Sequence, residues 1–128
     1  MEKRVVITGL GAITPIGKNV EETWNSIKEK KCGIDEITLF NTENFKTKLA
    51  AEVKEYNPLE HFEAKQAKRL DRSSQFAMVA AREAFLDSKI TKENTDLEKV
   101  GVFVSSGIGG LTTIQNQCEI NIQKGHNR

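Results

Sequence analysis

A β-branched run that breaks into a glycine-punctuated loop constrains the fold of this chain more than any other stretch. The run Val-Val-Ile-Thr, residues 5–8, predicts a buried strand. The loop that follows carries Gly9, Gly11 and Gly17, with Pro15 inside it. A strand that ends in such a loop suggests a dinucleotide-binding turn, and the glycine spacing tests that hypothesis.

The spacing argues against dinucleotide binding. The Rossmann fingerprint requires G-x-G-x-x-G at the start of a helix, so that the helix N-terminus meets the pyrophosphate. Gly9 and Gly11 fit this pattern, but Thr14 stands where the third glycine should fall. Pro15 also disfavours a helical conformation for the residue before it. A small nucleotide-binding domain, which would bind NAD or ATP saturably, is therefore the weaker alternative.

Capping patterns and apolar runs predict the secondary structure of the rest of the chain. Asn19 and Glu22 stand at capping-box spacing, which predicts a helix start. The alanine-rich stretch over 64–87 predicts one buried helix. The other predicted elements are a weak strand over 49–53, a helix start at 57–58, a buried strand over 100–104 and a helix over 111–123. Strands that alternate with helices predict an α/β fold with parallel strands.

Composition excludes several classes of protein. The 128 residues amount to about one domain, and 19 basic residues against 18 acidic ones leave no global field that would attract nucleic acid. No apolar run approaches the roughly 20 residues that span a bilayer. No hydrophobic signal segment precedes the first strand. We therefore expect a soluble cytoplasmic protein with neither a nucleic-acid nor a membrane partner.

The two cysteines do not suggest a metal site. Cys32 and Cys118 have no metal-ligand partner near them in the sequence. Free cysteine packs as a small hydrophobic residue, so both are predicted to lie in the core. The sequence indicates no metal site.

Four segments together resemble one enzyme family. They are V-V-I-T-G-L-G at 5–11, T-P-I-G at 14–17, K-R-L-D-R at 68–72 and S-S-G-I-G-G at 105–110. In order and spacing they resemble the N-terminus of a β-ketoacyl-[acyl-carrier-protein] synthase, most of all the elongating type II enzyme. The resemblance runs from about Arg4 to the end of the chain.

This resemblance implies a fold and an activity. Residues 1–128 would form the N-terminal portion of an α/β, thiolase-like, layered αβαβα fold. The complete enzyme, an acyltransferase and typically a homodimer, would condense acyl thioesters with malonyl-carrier protein in fatty-acid elongation. The nucleophile of the family lies in a Thr-Ala-Cys-(Ser/Thr) context, which does not occur here. We therefore expect no catalytic residue in this chain and no activity from it alone. The resemblance also implies no dissociable redox cofactor. The alternatives are a non-catalytic acyl-carrier-protein-binding module and a synthase homologue without the cysteine.

A basic cluster is the candidate partner-binding site. Lys65, Lys68, Arg69 and Arg72 recur at i, i+3, i+4 and i+7, which on a helix places them on one face. Acyl carrier protein is acidic, and opposite potentials steer encounter. The resemblance implies that Lys65, Lys68 and Arg69 belong to the carrier-protein docking surface and that Arg128 lies near a second docking position. The alternative is a solvated charged face.

The glycine-rich segment at 105–110 is the candidate substrate-binding site. Gly107 and Gly109 permit close approach of the backbone or a positive φ angle. The resemblance implies that Ile108 lines the acyl-chain pocket, where each buried CH₂ contributes about 0.8 kcal/mol. The alternative is that Ile108 belongs to the ordinary core. The first loop, residues 9–17, is predicted to be structural.

Overall fold

The computed structural model of the chain describes residues 4–125. Helices and one small sheet make up the regular structure of this range. In chain order the elements are α1 (Val20–Lys28), β1 (Ile34–Glu36), β2 (Leu49–Ala51), a 3₁₀ turn (Pro58–Glu60), α2 (Ala64–Ala67), α3 (Arg72–Ser88), a second 3₁₀ turn (Leu97–Lys99) and α4 (Leu111–Lys124).

The predicted capping box starts α1. Asn19 Oδ1 accepts the backbone N–H of Glu22 at 2.8 Å, and Asn19 Nδ2 donates to Glu22 Oε1 at 3.1 Å. The second carboxylate oxygen of Glu22 accepts the N–H of Lys18 at 2.8 Å. Because these bonds satisfy N–H groups that the first helical turn leaves free, the sequence fixes this helix start locally.

The single helix predicted over 64–87 is divided into α2 and α3. Asp71 adopts an extended conformation, with φ −63° and ψ 153°, and its side chain accepts the N–H of Ser73. Aspartate is among the preferred N-cap residues, so it starts a new helix although the apolar pattern continues past it. The prediction of one continuous helix was therefore wrong at 68–71.

The sheet is antiparallel and short. Ile34 lies opposite Ala51, and Glu36 lies opposite Leu49. Strand β2 confirms the strand predicted at 49–53, whereas β1 was not predicted. Within residues 4–125 these are the only strands joined in a sheet, so the parallel pairing expected from the alternation of elements is not present in that range.

The two buried strands predicted from β-branched runs are not formed in the described residues. Residues 5–8 and 100–104 have no strand pairing there. Their side chains are largely exposed, with Ile7 at 83% and Phe103 at 97%. A buried strand needs partner strands and covering layers, and residues 4–125 provide neither for these two segments.

The first loop packs directly on α3 through its glycines. A Cβ added at Gly9 would clash with the carbonyl oxygen of Ala84, and one added at Gly11 would clash with that of Ala80. Glycine at these two positions allows the loop backbone to lie against the backbone of α3.

Carboxylates of α3 hold the same loop. Glu83 Oε2 accepts the N–H of Ala12, and Glu83 Oε1 accepts the N–H of Val20, both at 2.9 Å. Asp87 Oδ2 accepts the N–H of Leu10, also at 2.9 Å. The structural role predicted for the loop agrees with these contacts.

The buried core of residues 4–125 is small. Phe62, at 6% exposure, is its one buried hydrophobic side chain. The two buried polar residues are satisfied: Ser26 Oγ donates to the carbonyl of Ile16 at 2.6 Å, and the Gln75 amide donates to two backbone carbonyls at 3.0 Å. The hydroxyl oxygen of Tyr56 is also buried, and it has no hydrogen-bond partner among the described residues. No helix in this range is both long and apolar enough to cross a bilayer.

Both cysteines are exposed, so the prediction that they pack in the core was wrong. Cys118 lies on α4, whose side chains are all exposed in the described structure. Leu111, Ile114 and Ile122 share a helix face with Cys118 and are exposed too, so within residues 4–125 no element covers that face. Burial of Cys118 would require such an element.

Candidate functional site

The segment from Ser105 to Gly110, here the glycine loop, leads into α4 beside the start of α3. Gly110 has a φ of +76° and is the N-cap of α4, which receives no side-chain capping bond of its own. Glycine adopts a left-handed φ without the steric cost that a Cβ brings, so this position favours glycine.

Asp71 joins the starts of α3 and α4. Its Oδ1 accepts the N–H of Ser73 at 2.9 Å and the Ser73 hydroxyl at 2.8 Å. Its Oδ2 accepts the hydroxyl of Thr113, in the first turn of α4, at 2.7 Å. These bonds lower the pKa of Asp71: the Thr113 hydroxyl contributes most, followed by the N–H and hydroxyl of Ser73, with a smaller contribution from the N–H of Gly110. Sequence reasoning missed this residue, although Asp-x-Ser before a helix is a recognisable cap pattern.

Close approach of the glycine loop to α3 occurs at Gly109. A Cβ added there would lie 3.1 Å from Ser73 Oγ and 3.2 Å from Ser106 Oγ. No atom lies within 4 Å of the position that a Cβ would take at Gly107. Close packing against these two serine side chains therefore favours glycine at 109 but gives no reason for glycine at 107, and the substrate-binding role of both residues stays a prediction.

Ile108, between these glycines, is 73% exposed. Ordinary core packing therefore does not account for it in the described structure. A groove of about 540 Å³ lies next to the loop, between the first loop and α3, and Val104, Ser105 and Ser106 line part of it. Ile108 is not among the lining residues, so its place in an acyl-chain pocket stays a prediction.

In the structure, Arg72 is separated from the other three residues of the predicted basic cluster. Arg72 begins α3, with its guanidinium 5.4 Å from the ring centroid of Tyr56 and 4.9 Å from that of Phe76. It also donates to the carbonyl of Val53 at 2.5 Å. The four basic residues therefore do not share one helix face, and Arg72 is engaged in holding α3 against the segment after β2.

The other three residues, Lys65, Lys68 and Arg69, form an exposed group that we call the basic trio. Neither of the two ion pairs found among residues 4–125 includes a member of the trio. Lys65 and Arg69 border a hollow that Glu63, Gln66 and Leu70 also line. Basic side chains beside an apolar one can receive an acidic partner that carries an apolar side chain. The fourth predicted docking residue, Arg128, lies outside the described residues.

The described part of the chain contains no group of three His, Cys, Asp or Glu side chains able to hold a metal ion.

Comparison with known proteins gives matches along the whole chain. The family model "Beta-ketoacyl synthase, N-terminal domain" matches residues 2–127. The chain is 42% identical over 126 residues to 3-oxoacyl-[acyl-carrier-protein] synthase 2 of Staphylococcus aureus, covering 98% of this chain and 30% of that protein. It is 38% identical over 127 residues to the protein of the same name from Synechocystis, covering 99% and 30%.

A solved structure, the ishigamide ketosynthase/chain length factor, also matches, with a TM-score of 0.70 and 29% sequence identity. The match covers 94% of this chain and 30% of that one. It confirms the predicted fold class, the N-terminal portion of a thiolase-like α/β fold. The chain spans about 30% of the length of the curated relatives described above.

Proposed function

The chain belongs to the β-ketoacyl synthase family, and we propose that it is the N-terminal part of a 3-oxoacyl-[acyl-carrier-protein] synthase. The proposed reaction condenses an acyl thioester with malonyl-carrier protein in fatty-acid elongation. The observation that carries this proposal is the 42% identity to a synthase of that name along 98% of the chain.

The glycine loop is the proposed substrate-facing part of the chain. Ile108 is 73% exposed, and its backbone lies between Gly107 and Gly109. An exposed isoleucine gains free energy when a hydrocarbon covers it, and each CH₂ that an acyl chain buries against such a wall contributes about 0.8 kcal/mol. The apolar wall would therefore favour acyl groups long enough to reach it.

The basic trio is the proposed docking surface for acyl carrier protein. Its side chains are exposed and outside the ion pairs of the described residues, so they are available to an acidic partner. Opposite charges across an interface accelerate encounter and fix the orientation of the two proteins.

The chain itself holds no proposed catalytic residue. Cys32 stands in a Lys-Cys-Gly context and Cys118 in Gln-Cys-Glu, neither of which is the Thr-Ala-Cys context of the family nucleophile. A cysteine nucleophile also needs an adjacent base or a lowered pKa. We therefore propose that condensation requires a polypeptide that combines this chain with the catalytic cysteine and histidines. Homodimer formation and a cytoplasmic location stay predictions.

A paired assay tests this proposal. The synthase polypeptide that contains this chain, and residues 1–128 alone, are each given acyl- and malonyl-carrier protein. We expect condensation only from the longer polypeptide. Condensation by neither, together with carrier-protein binding by both, would favour the alternative of a non-catalytic binding module. Condensation by residues 1–128 alone would contradict the assignment of catalysis outside this chain.

A further inference from the structure

We propose that Asp71 is a positioning residue that fixes the glycine loop against α3 and thereby sets where Ile108 lies. The part of this inference that concerns substrate rests on the proposed function, in which Ile108 forms part of the acyl-chain wall.

The two carboxylate oxygens of Asp71 accept hydrogen bonds from different helices. Oδ1 accepts the N–H of Ser73 and so caps α3 from within its own segment. Oδ2 accepts the Thr113 hydroxyl at 2.7 Å, which joins residues 42 positions apart in the chain. A carboxylate at this place also faces the N-terminus of α4, where the helix dipole favours negative charge. One side chain therefore starts α3 and anchors the beginning of α4.

The contacts between the end of the glycine loop and α3 converge on Asp71. A Cβ added at Gly110 would lie 3.9 Å from Asp71 Cγ, and one at Gly109 would lie 3.1 Å from Ser73 Oγ. The Ser73 hydroxyl is itself held by Asp71 at 2.8 Å. Gly107 has no such neighbour within 4 Å. Ile108 is therefore followed by two residues that Asp71 positions directly or through Ser73.

Two substitutions distinguish the capping of α3 by Asp71 from its positioning of the glycine loop. Asp71→Ser keeps a good N-cap for α3 but is too short to reach Thr113. Thr113→Val removes the hydroxyl at an exposed position and keeps the shape of the side chain, so it does not threaten folding. The matched control is Asp96→Ser, because Asp96 caps the second 3₁₀ turn by accepting the N–H of Glu98 at 3.2 Å. Its only ion pair among the described residues is with the neighbouring Lys99, so the control also removes a carboxylate without touching α4.

The first readout is amide hydrogen exchange in residues 1–128, which does not depend on any activity. Hydrogen bonds to charged groups are strong enough that losing one should accelerate local exchange about tenfold. We expect this acceleration at residues 114–117, the first N–H groups of α4 that donate within the helix, in Asp71→Ser and in Thr113→Val, and none in Asp96→Ser. Unchanged exchange at these residues in either Asp71→Ser or Thr113→Val would overturn the inference.

The second readout is the acyl-chain-length profile of the synthase polypeptide that contains this chain. We expect both loop variants to change the ratio of kcat/KM for long against short acyl groups by about threefold or more. Asp71→Asn, whose amide can still donate to the Thr113 hydroxyl, should lie closer to the wild type.

The outcomes separate this inference from the proposed function. Faster exchange at residues 114–117 with an unchanged chain-length profile, in a polypeptide whose profile Ile108→Phe does change, would overturn the positioning role of Asp71. A wild-type polypeptide that does not condense would overturn the proposed function, and the exchange rates would still decide whether Asp71 holds the loop.

Discussion

Glu83, in the middle of α3, accepts the backbone N–H of Val20, the first residue of α1, at 2.9 Å. Its second oxygen accepts the N–H of Ala12 at the same distance. One carboxylate thus ties the first loop and the start of α1 to α3, and it lies where the dipole of α1 favours negative charge.

Replacing Glu83 should therefore destabilise the described fold. Glu83→Ala leaves two backbone N–H groups without their charged acceptor, and we expect a loss of about 2 kcal/mol in the free energy of unfolding. Urea denaturation of residues 1–128 measures it. Glu63→Ala is the matched control, because Glu63 precedes α2 without making a side-chain capping bond. Equal stability of the two variants would contradict the role of Glu83.

Adding a methyl group at Gly11 should be far more damaging than adding one at Gly107. A Cβ at Gly11 would clash with the carbonyl of Ala80, whereas at Gly107 it would meet no atom within 4 Å. Forced backbone shifts of this kind cost about 1–3 kcal/mol or more. We expect Gly11→Ala to lower the urea midpoint clearly and Gly107→Ala to leave it nearly unchanged. A similar midpoint for both would show that the first loop does not lie against α3 as described.

Charge reversal of the basic trio should slow association with acyl carrier protein. We expect a decrease of about tenfold or more in the association rate at low salt when all three residues become Glu, and a smaller difference at high salt because ions screen exposed charges. Stopped-flow binding measures both conditions. The control reverses three other exposed lysines near the end of α1, Lys28, Lys30 and Lys31. If the two triple variants slowed association equally, the net charge of the chain would explain the effect and the basic trio would not be a specific docking surface.

A larger side chain at Ile108 should restrict the acyl chain. In the synthase polypeptide that contains this chain, Ile108→Phe is expected to reduce kcat/KM for long acyl groups more than for short ones, since overfilling a pocket excludes the longer substrate. Leu39→Phe is the control, because Leu39 is 66% exposed and lies in the connection between β1 and β2, outside the glycine loop. A profile identical to that of the wild type would remove Ile108 from the acyl-chain wall.

The contribution of Asp71 to stability should depend on pH. Its pKa is lowered in the folded chain, chiefly by the Thr113 hydroxyl, from an ordinary value of 3.8. A carboxyl whose folded pKa is depressed stabilises the fold above its unfolded pKa and loses that effect as pH falls through the folded pKa. The stability difference between wild type and Asp71→Asn should therefore be larger at pH 7 than below pH 3.8. If the stability difference between wild type and Asp71→Asn did not change with pH, the charge of Asp71 would not stabilise the fold.

Local features were predictable from the sequence. The Asn19–Glu22 capping box depends on residues three apart, and it forms as expected. The helix over 111–123 is confirmed as α4, which extends one residue further. The break at Asp71 was missed because the apolar pattern continues across it, whereas a single capping side chain decides the helix start.

Features that depend on distant residues were not predictable in the same way. The burial expected for residues 5–8 and 100–104 requires partner strands, and residues 4–125 provide none for them. Helical spacing placed Arg72 with the basic trio, but its guanidinium lies over the rings of Tyr56 and Phe76. The Asp71–Thr113 bond joins positions 42 residues apart, so no local pattern could predict the pairing.

The measurement that tests the central claim most directly is the mass of the product formed by the synthase polypeptide that contains this chain. With acyl- and malonyl-carrier protein as substrates, we predict a 3-oxoacyl thioester that is one acetyl unit longer than the starting acyl group, with release of CO₂. An acyl group that is not extended, under conditions in which a known synthase extends it, would contradict the account.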